Sequence, residues 1–292
     1  MKNTARLFAV ASVGFLCVGA LAAQDQQGMT IPKVLQITRE YIKPGRTGGS
    51  HEKTETAYVQ AMAKANYPTH YLAVTSLSGK SRALFMTRYE SFEAMEKDGA
   101  AVAKNASLLS ALDKANMADG DLLDSVDQGI FVFNEEESLR PRADLSHMRF
   151  FEISSYHVKP GHYREWEELV KLVKSGYEKS NPNAHWGMFE QRYGGDGGTY
   201  LVLEAHTTLA DLDRGFDDSK KFAEALGEDG MKKFSELYGS SIESSQHQLF
   251  AFSPAMSYIY PEWIKSDPEY WQPKPAPNAM AKMNMTDKKA KP

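Results

Sequence analysis

Cysteine is nearly absent from this sequence: its 292 residues contain one, Cys17. That residue lies in a segment expected to be removed from the mature protein, so disulfides, thiolate zinc sites and cysteine nucleophiles are excluded. A Gly-x-Ser-x-Gly motif, the commonest hydrolase signature, is also missing. The eight histidines include no His-x-x-x-His pair, so no metal site is expected.

An excess of basic residues is missing as well. The chain has 34 Lys and Arg against 38 Asp and Glu, for a net charge of −4. Because nucleic-acid binding needs a basic surface, no nucleic-acid partner is expected. The remaining composition, 42% hydrophobic and 25% charged, is typical of an ordinary folded protein.

The N-terminus has the pattern of an export signal. Lys2 and Arg6 precede an apolar run at residues 7–21, and small residues at 20–23 offer a cleavage site. The alternative, a membrane anchor, is disfavoured because the uncharged stretch at 7–23 is shorter than the ~20 residues that span a bilayer. A lipoprotein is disfavoured because Leu16 stands where a small residue is needed. We therefore expect a signal peptide at 1–23, a periplasmic or secreted mature chain, and no membrane span after cleavage.

Two parts of the chain repeat one another. Residues 34–45 (VLQITREYIKPG) correspond to residues 150–161 (FFEISSYHVKPG), and their Lys-Pro-Gly turns lie 116 residues apart. Further landmarks follow in the same order at offsets of 115 to 119 residues. A period above 100 residues is too long for a solenoid, so the pattern predicts a duplicated domain.

Each copy predicts the order strand, helix, strand, strand, helix, strand. Turn residues at 78–80 and 194–198 predict a hairpin in each copy, and glycines at Gly99, Gly120, Gly227 and Gly230 are expected to break the second helical region. This order suits an antiparallel four-stranded sheet with helices on one face. The other face of each sheet is expected to pack face to face on that of the other copy. The predicted organisation is a first repeat at 34–134, a charged linker at 135–147, a second repeat at 148–253, and an extension at 254–292 that is disordered at its end.

A more specific pattern occupies residues 152–161 (EISSYHVKPG). It resembles the opening strand of NIPSNAP-like domains, which typically read Glu, aliphatic, polar, polar, Tyr, any residue, aliphatic, Lys, Pro, Gly. These domains are grouped with the antibiotic-biosynthesis-type monooxygenases among the dimeric α/β barrels. The resemblance implies an α+β fold in which two tandem ferredoxin-like βαββαβ repeats pack as an intramolecular dimeric α/β barrel. The first copy departs from the pattern at Gln36 and Glu40, so the two halves are not expected to be equivalent.

Alternation along the second copy's first strand assigns its side chains to faces. Phe151 and Ile153 are expected to face the helices, which leaves the polar residues between them to line a ligand pocket between the two sheets. The predicted ligand-binding residues are Glu152, Ser154, Tyr156, His185, Trp186, Tyr200 and His206, with Thr38 and His70 from the first copy. The alternative is that Glu152 and Tyr156 only satisfy each other or the backbone.

Two functions fit these expectations. The first is a noncatalytic exported protein that binds a small, partly apolar ligand between its sheets. The second is a metal-independent oxygenase or isomerase of the dimeric α/β-barrel type, in which Glu152, Tyr156 or His185 moves a proton; because His185 recurs as His70, a structural duty explains it equally well.

No cofactor is predicted from the sequence. Haem stays open because it needs only one axial histidine, and the dimeric α/β-barrel group includes haem-binding members. The expected partner is a small molecule, and the mature chain is expected to be a monomer with an internal pseudo-dimer or a homodimer.

Overall fold

A computed structural model describes residues 30–46 and 49–272 of the chain. The predicted signal peptide and the predicted disordered end, from residue 273 onward, lie outside the described residues. The described strands are β1 Val34–Ile42, β2 Tyr71–Ser76, β3 Arg82–Tyr89, β4 Leu123–Leu139, β5 Phe150–Val158, β6 Trp186–Tyr193, β7 Thr199–His206 and β8 Ile242–Phe252. The described α-helices are α1 Gly49–Lys64, α2 Phe92–Lys104, α3 Ala106–Gly120, α4 Tyr163–Ser180, α5 Ala210–Ser241, α6 Pro261–Ser266 and α7 Pro268–Trp271.

The eight strands form one closed, antiparallel barrel in the order β1-β3-β2-β8-β5-β7-β6-β4. The predicted α+β class is thus observed, and both predicted hairpins form, as β2–β3 and β6–β7. The two sheets were expected to stack face to face; instead they join edge to edge, through β2–β8 and β4–β6. Edge pairing satisfies backbone groups that a stacked pair would leave open at four sheet edges.

The barrel interior is an apolar core built from both halves. Phe151 and Ile153 pack there in one cluster with Leu35, Ile37 and Phe131. The predicted assignment of strand faces was therefore wrong, since Phe151 and Ile153 point into the barrel and the polar residues between them point towards the helices. Both faces of each strand are covered, so alternation separated two faces without showing which one meets the helices.

Helices cover the outside of the barrel, and they differ between the halves. In the first half, Asn105 ends α2 and caps α3, so the helix breaks at Asn105 and not at Gly99, which lies inside α2. In the second half, α5 kinks at Gly227, where φ is 66°, as the sequence predicted. β4 runs to Leu139 and so takes the first five residues of the predicted linker.

The segment after β8 packs on one end of the barrel. Trp263 is fully buried and Trp271 is nearly so, and both join the barrel core. The Trp271 indole Nε1 donates to the Ser146 carbonyl at 2.7 Å. Among residues 30–46 and 49–272, no helix is long and apolar enough to cross a bilayer.

Candidate functional site

A large cavity lies between the outer face of the second-half strands and helices α4 and α5. Its volume is about 900 Å³, against about 70 Å³ for the space left inside the barrel. The pocket predicted between the two sheets is therefore wrong in position: apolar side chains fill that space, and the cavity lies on the opposite face of the same strands.

Aromatic side chains form most of the wall. Tyr177 of α4 stacks on Phe222 of α5 at 4.7 Å between ring centroids and meets Trp186 of β6 edge-on at 5.7 Å. Tyr156 lies 5.4 Å from the Trp166 ring. The Trp186 indole Nε1 donates to the Glu137 carbonyl at 2.9 Å, which fixes the orientation of its ring. These contacts give a preformed wall for a flat, apolar ligand.

Two carboxyl groups stand side by side on the sheet wall. Glu152 of β5 and Glu204 of β7 are direct cross-strand partners, and both line the cavity. Such partners have Cβ atoms about 5 Å apart. Burial, together with the neighbouring Glu152 carboxylate, raises the pKa of Glu204 to about 8. Near neutral pH this pair therefore holds a proton that it can donate or exchange.

The histidines of the cavity differ in how their ring nitrogens are used. His185 contacts the Asn183 carbonyl through Nδ1 at 3.0 Å and the Ala205 carbonyl through Nε2 at 2.9 Å, so both nitrogens are engaged by backbone. This geometry favours the structural duty for His185 over proton transfer. His206 also lines the cavity, and its buried Nε2 has no hydrogen-bond partner. Burial and the nearby His185 lower the pKa of His206. Of the two, only His206 has a ring nitrogen without a partner, and a bound molecule could reach that buried nitrogen only after the side chain turned.

Haem can be tested against the same residues. An axial ligand would have to come from an accessible imidazole nitrogen; His206 Nε2 has no hydrogen-bond partner but is buried, so it would meet that requirement only after its side chain turned towards the cavity. The Arg142 and Arg214 side chains line the cavity and could meet two propionates. Haem supplies redox chemistry when it is bound. The chain itself would contribute His206 as the ligand and the aromatic wall as the surface that packs against the haem.

The structure gathers only some of the predicted residues. Glu152, Tyr156, His185, Trp186 and His206 line the cavity. Ser154 does not itself line the cavity, but its hydroxyl forms a hydrogen bond of 2.8 Å with Nδ1 of His247, which does.

Three further predicted residues do not line the cavity. Tyr200 is buried against Trp166 at 4.9 Å between ring centroids. Thr38 accepts a hydrogen bond from the Gln128 amide at 3.0 Å, on β1. His70 is stacked between Tyr258 and Tyr260 of the C-terminal segment, at 4.5 and 4.7 Å.

Several lining residues were not among the predicted site residues. Glu204 had a signal, since it lies two residues before His206 on one strand and therefore on the same face. The helix residues Trp166, Tyr177 and Phe222 could not be identified in this way, because an apolar stripe that packs and one that lines a cavity have the same periodicity.

No protein-family model matches the sequence, and no curated protein does. Solved structures do match. An anthrone oxidase-like protein superposes with a TM-score of 0.50 and 12% identity, over 76% of this chain and 94% of that chain. The fold is that of the dimeric α/β-barrel group.

Two other solved structures superpose less well. A mutant chlorite dismutase from Candidatus Nitrospira defluvii has a TM-score of 0.47 and 9% identity, over 83% of this chain and 98% of that chain. A NIPSNAP family protein from Agrobacterium tumefaciens has a TM-score of 0.26 and 16% identity, over 36% and 88%. The predicted resemblance is confirmed for the fold by the anthrone oxidase-like protein, and at 12% identity that likeness carries no activity to this chain.

Proposed function

We propose that this protein binds a small, partly apolar aromatic molecule in the cavity between the second-half strands and helices α4 and α5. One observation carries the proposal: the cross-strand pair Glu152 and Glu204 lies on the wall of a cavity whose other walls are aromatic. Both side chains are half-buried, and carboxyl groups withdrawn from water are costly unless a partner compensates them. A ligand that places a hydroxyl or a carbonyl group at the pair would supply that partner.

The cavity also fits such a ligand in size and polarity. Its volume of about 900 Å³ lies at the upper end of the range for small-molecule sites. Arg142 and Arg214 are exposed lining residues, so the polar end of a larger ligand can remain at the solvent-facing side.

The test uses the mature chain and 1-naphthol as the probe, followed by calorimetric titration at pH 7. We expect binding by the native protein and about tenfold weaker binding by Glu204→Gln, which is the loss of about one hydrogen bond. Val202→Phe, which places a larger side chain on the cavity wall, should abolish binding. The matched control is Glu243→Gln on β8, an exposed carboxylate that does not line the cavity.

Unchanged affinity in both Glu204→Gln and Val202→Phe would place the bound probe elsewhere and refute the proposal. An organic extract of the purified protein, analysed by mass spectrometry, tests it independently because a natural ligand should appear in the native extract and be depleted in Val202→Phe. An absorbance band in the Soret region would replace this proposal with a haem-binding function, and that band should then disappear in His206→Ala.

A second function is favoured by the raised pKa of Glu204 and the free His206 Nε2. In this function the pair moves a proton of an enolisable aromatic substrate, as an isomerase or as an oxygenase that uses dioxygen directly. The likeness in fold to an anthrone oxidase-like protein suggests anthrone as the substrate to test. Anthrone and one dioxygen would give anthraquinone and one water, so no further reductant is needed.

Oxygen uptake with anthrone distinguishes the two functions. Uptake that is lost in Glu152→Gln and in His206→Ala, and kept in Glu243→Gln, would establish the enzyme. Binding of 1-naphthol without anthrone turnover in the native protein would leave the binding function alone.

The same proposal includes a tandem duplication, a monomeric state and export of the protein. The matching strand order of the two halves, in which each contributes its strands in the sequence fourth, first, third, second, supports a tandem duplication of repeats at 34–134 and 148–253. Barrel closure within one chain supports a monomer with an internal pseudo-dimer. The charged start and apolar run at residues 1–23 support export to the periplasm or the exterior.

A further inference from the structure

The first half holds a cluster of four ionisable side chains that the proposed function does not use. Glu40 lies on β1, His51 and Glu55 lie one turn apart on α1, and Asp119 lies in the last turn of α3. The cluster thus joins three elements of the first half, on the side of the sheet where the second half has its cavity.

The four side chains converge on a common point. His51 Nε2 lies 3.0 Å from Glu40 Oε2, 3.6 Å from Asp119 Oδ1 and 3.9 Å from Glu55 Oε1. One donor atom from each residue can be chosen so that all four lie within 4.8 Å of one another. Metal bonds of about 2.1 Å span donor atoms up to about 4.2 Å apart, so a small inward movement of the side chains would complete a coordination shell.

Burial makes this arrangement costly without a cation. The side chains of His51, Glu55 and Asp119 are 5%, 4% and 2% exposed, and that of Glu40 is 12% exposed. Glu55 Oε1 and Asp119 Oδ2 are buried with no hydrogen-bond partner. Three carboxyl groups face one imidazole, and an unpaired buried carboxylate costs several kcal/mol.

The surroundings of the cluster point the same way. Thr54 donates its hydroxyl to Asp119 Oδ1 at 2.5 Å, the kind of outer contact that orients a metal ligand.

We propose that Glu40, His51, Glu55 and Asp119 bind one divalent first-row metal ion, which fastens α1 and α3 to β1. One imidazole and three carboxylates form a donor set suited to Mn²⁺ or Zn²⁺. Because the set contains no thiolate, it does not suit a metal that prefers thiolate ligands. All four donors come from the protein and are largely buried, so the ion has a structural role and does not act on a substrate. The absence of a His-x-x-x-His pair predicted no metal site, whereas these ligands form a single His-x-x-x-Glu pair completed by two distant residues.

The test uses the full mature chain, stripped with EDTA, dialysed and titrated with MnCl₂. Loss of the free Mn²⁺ electron paramagnetic resonance signal should show one bound ion per chain, and ZnCl₂ should displace it. Glu55→Gln and His51→Gln should each weaken binding at least about tenfold. Glu52→Gln, an exposed carboxylate on the same helix, is the matched control and should bind as the native chain does.

Spectroscopy and melting keep the proposal falsifiable if a variant folds poorly. Bound Mn²⁺ should show hyperfine coupling to an imidazole nitrogen that disappears in His51→Gln, and the metal should raise the melting temperature of the native chain but not that of Glu55→Gln. Absence of Mn²⁺ and Zn²⁺ binding at micromolar concentration, or native-like binding by Glu55→Gln, would overturn the proposal.

Discussion

The two halves of the barrel use different side chains where the first strand contacts the helix that follows it. Glu40 and Tyr156 occupy corresponding strand positions 116 residues apart, and each meets a residue near the start of the following helix. In the first half that residue is His51, at 3.0 Å, and in the second it is Trp166, with ring centroids 5.4 Å apart. The same strand-to-helix contact is thus ionic in one half and aromatic in the other.

The helices extend this difference. In the first half the short helix α3 brings Asp119 onto the ionic contact. In the second half the long helix α5 kinks at Gly227, and the space between it and the sheet remains open as a cavity of about 900 Å³. One strand order therefore supports a closed polar cluster and an open aromatic cavity, depending on the helix that follows the hairpin.

The largest expected effect comes from removing the aromatic contact. Trp166 is 2% exposed and lies against Tyr156 and Tyr200, so Trp166→Ala should lower the free energy of unfolding by about 3–5 kcal/mol. Urea unfolding monitored by circular dichroism measures the change. Met117→Ala, at a side chain 77% exposed on α3, is the control and should change stability by less than about 0.5 kcal/mol. If Trp166→Ala lowers the free energy of unfolding by less than about 1 kcal/mol, the aromatic contact does not stabilise this half.

The second effect depends on pH. Glu204 has a pKa of about 8 in the folded state against an ordinary 4.5, so the folded protein keeps a proton that the unfolded chain has released. The free energy of unfolding should therefore fall as the pH rises from about 5 to 8. We expect Glu204→Gln to remove about 2–3 kcal/mol of this fall, less than the full shift implies because solvent in the cavity screens the charge.

Unfolding midpoints in urea at several pH values between 5 and 9 measure this prediction. Glu243→Gln, the exposed carboxylate on β8, should keep the native pH dependence. If Glu204→Gln also keeps it, Glu204 is not the group that takes up the proton.

The smallest effect compares two helix glycines. A Cβ atom on Gly176 of α4 would come within 2.5 Å of the Phe222 ring, so Gly176→Ala should cost about 1–3 kcal/mol. A Cβ atom on Gly99 of α2 meets nothing within 4 Å, so Gly99→Ala should stabilise the protein by about 0.5–1 kcal/mol. Opposite signs in thermal unfolding would confirm that α4 and α5 approach closely through Gly176; equal signs would contradict it.

Local features of the fold could be predicted from the sequence. Gly45 and Gly161 end their strands with φ of 81° and 89°, values that favour glycine, and both follow the Pro of a repeated turn. Ser91 caps α2 by accepting from the Ala94 amide at 3.1 Å, and a hydroxyl residue directly before a helix is a preferred cap. These features depend on neighbouring residues alone.

Features that depend on distant residues could not be predicted in the same way. The predicted faces of β5 were the wrong way round. Phe151 and Glu152 alternate correctly under either assignment, and only barrel closure decides between the two. The cluster around His51 was missed because Asp119 reaches it across most of the first half. His185 was identified as a site residue, but its contact with the Ala205 carbonyl depends on the register of the β6–β7 hairpin, which the sequence leaves open.

Closure of the barrel also has a thermodynamic consequence. Because β2 pairs with β8 and β4 with β6, neither half can lose its sheet without breaking backbone hydrogen bonds of the other. The two compartments share no side chain, yet this pairing predicts that they melt as one cooperative unit. A ligand bound beside α5 would then stabilise the cluster around His51 in the first half, and a cation bound in that cluster would stabilise the aromatic cavity.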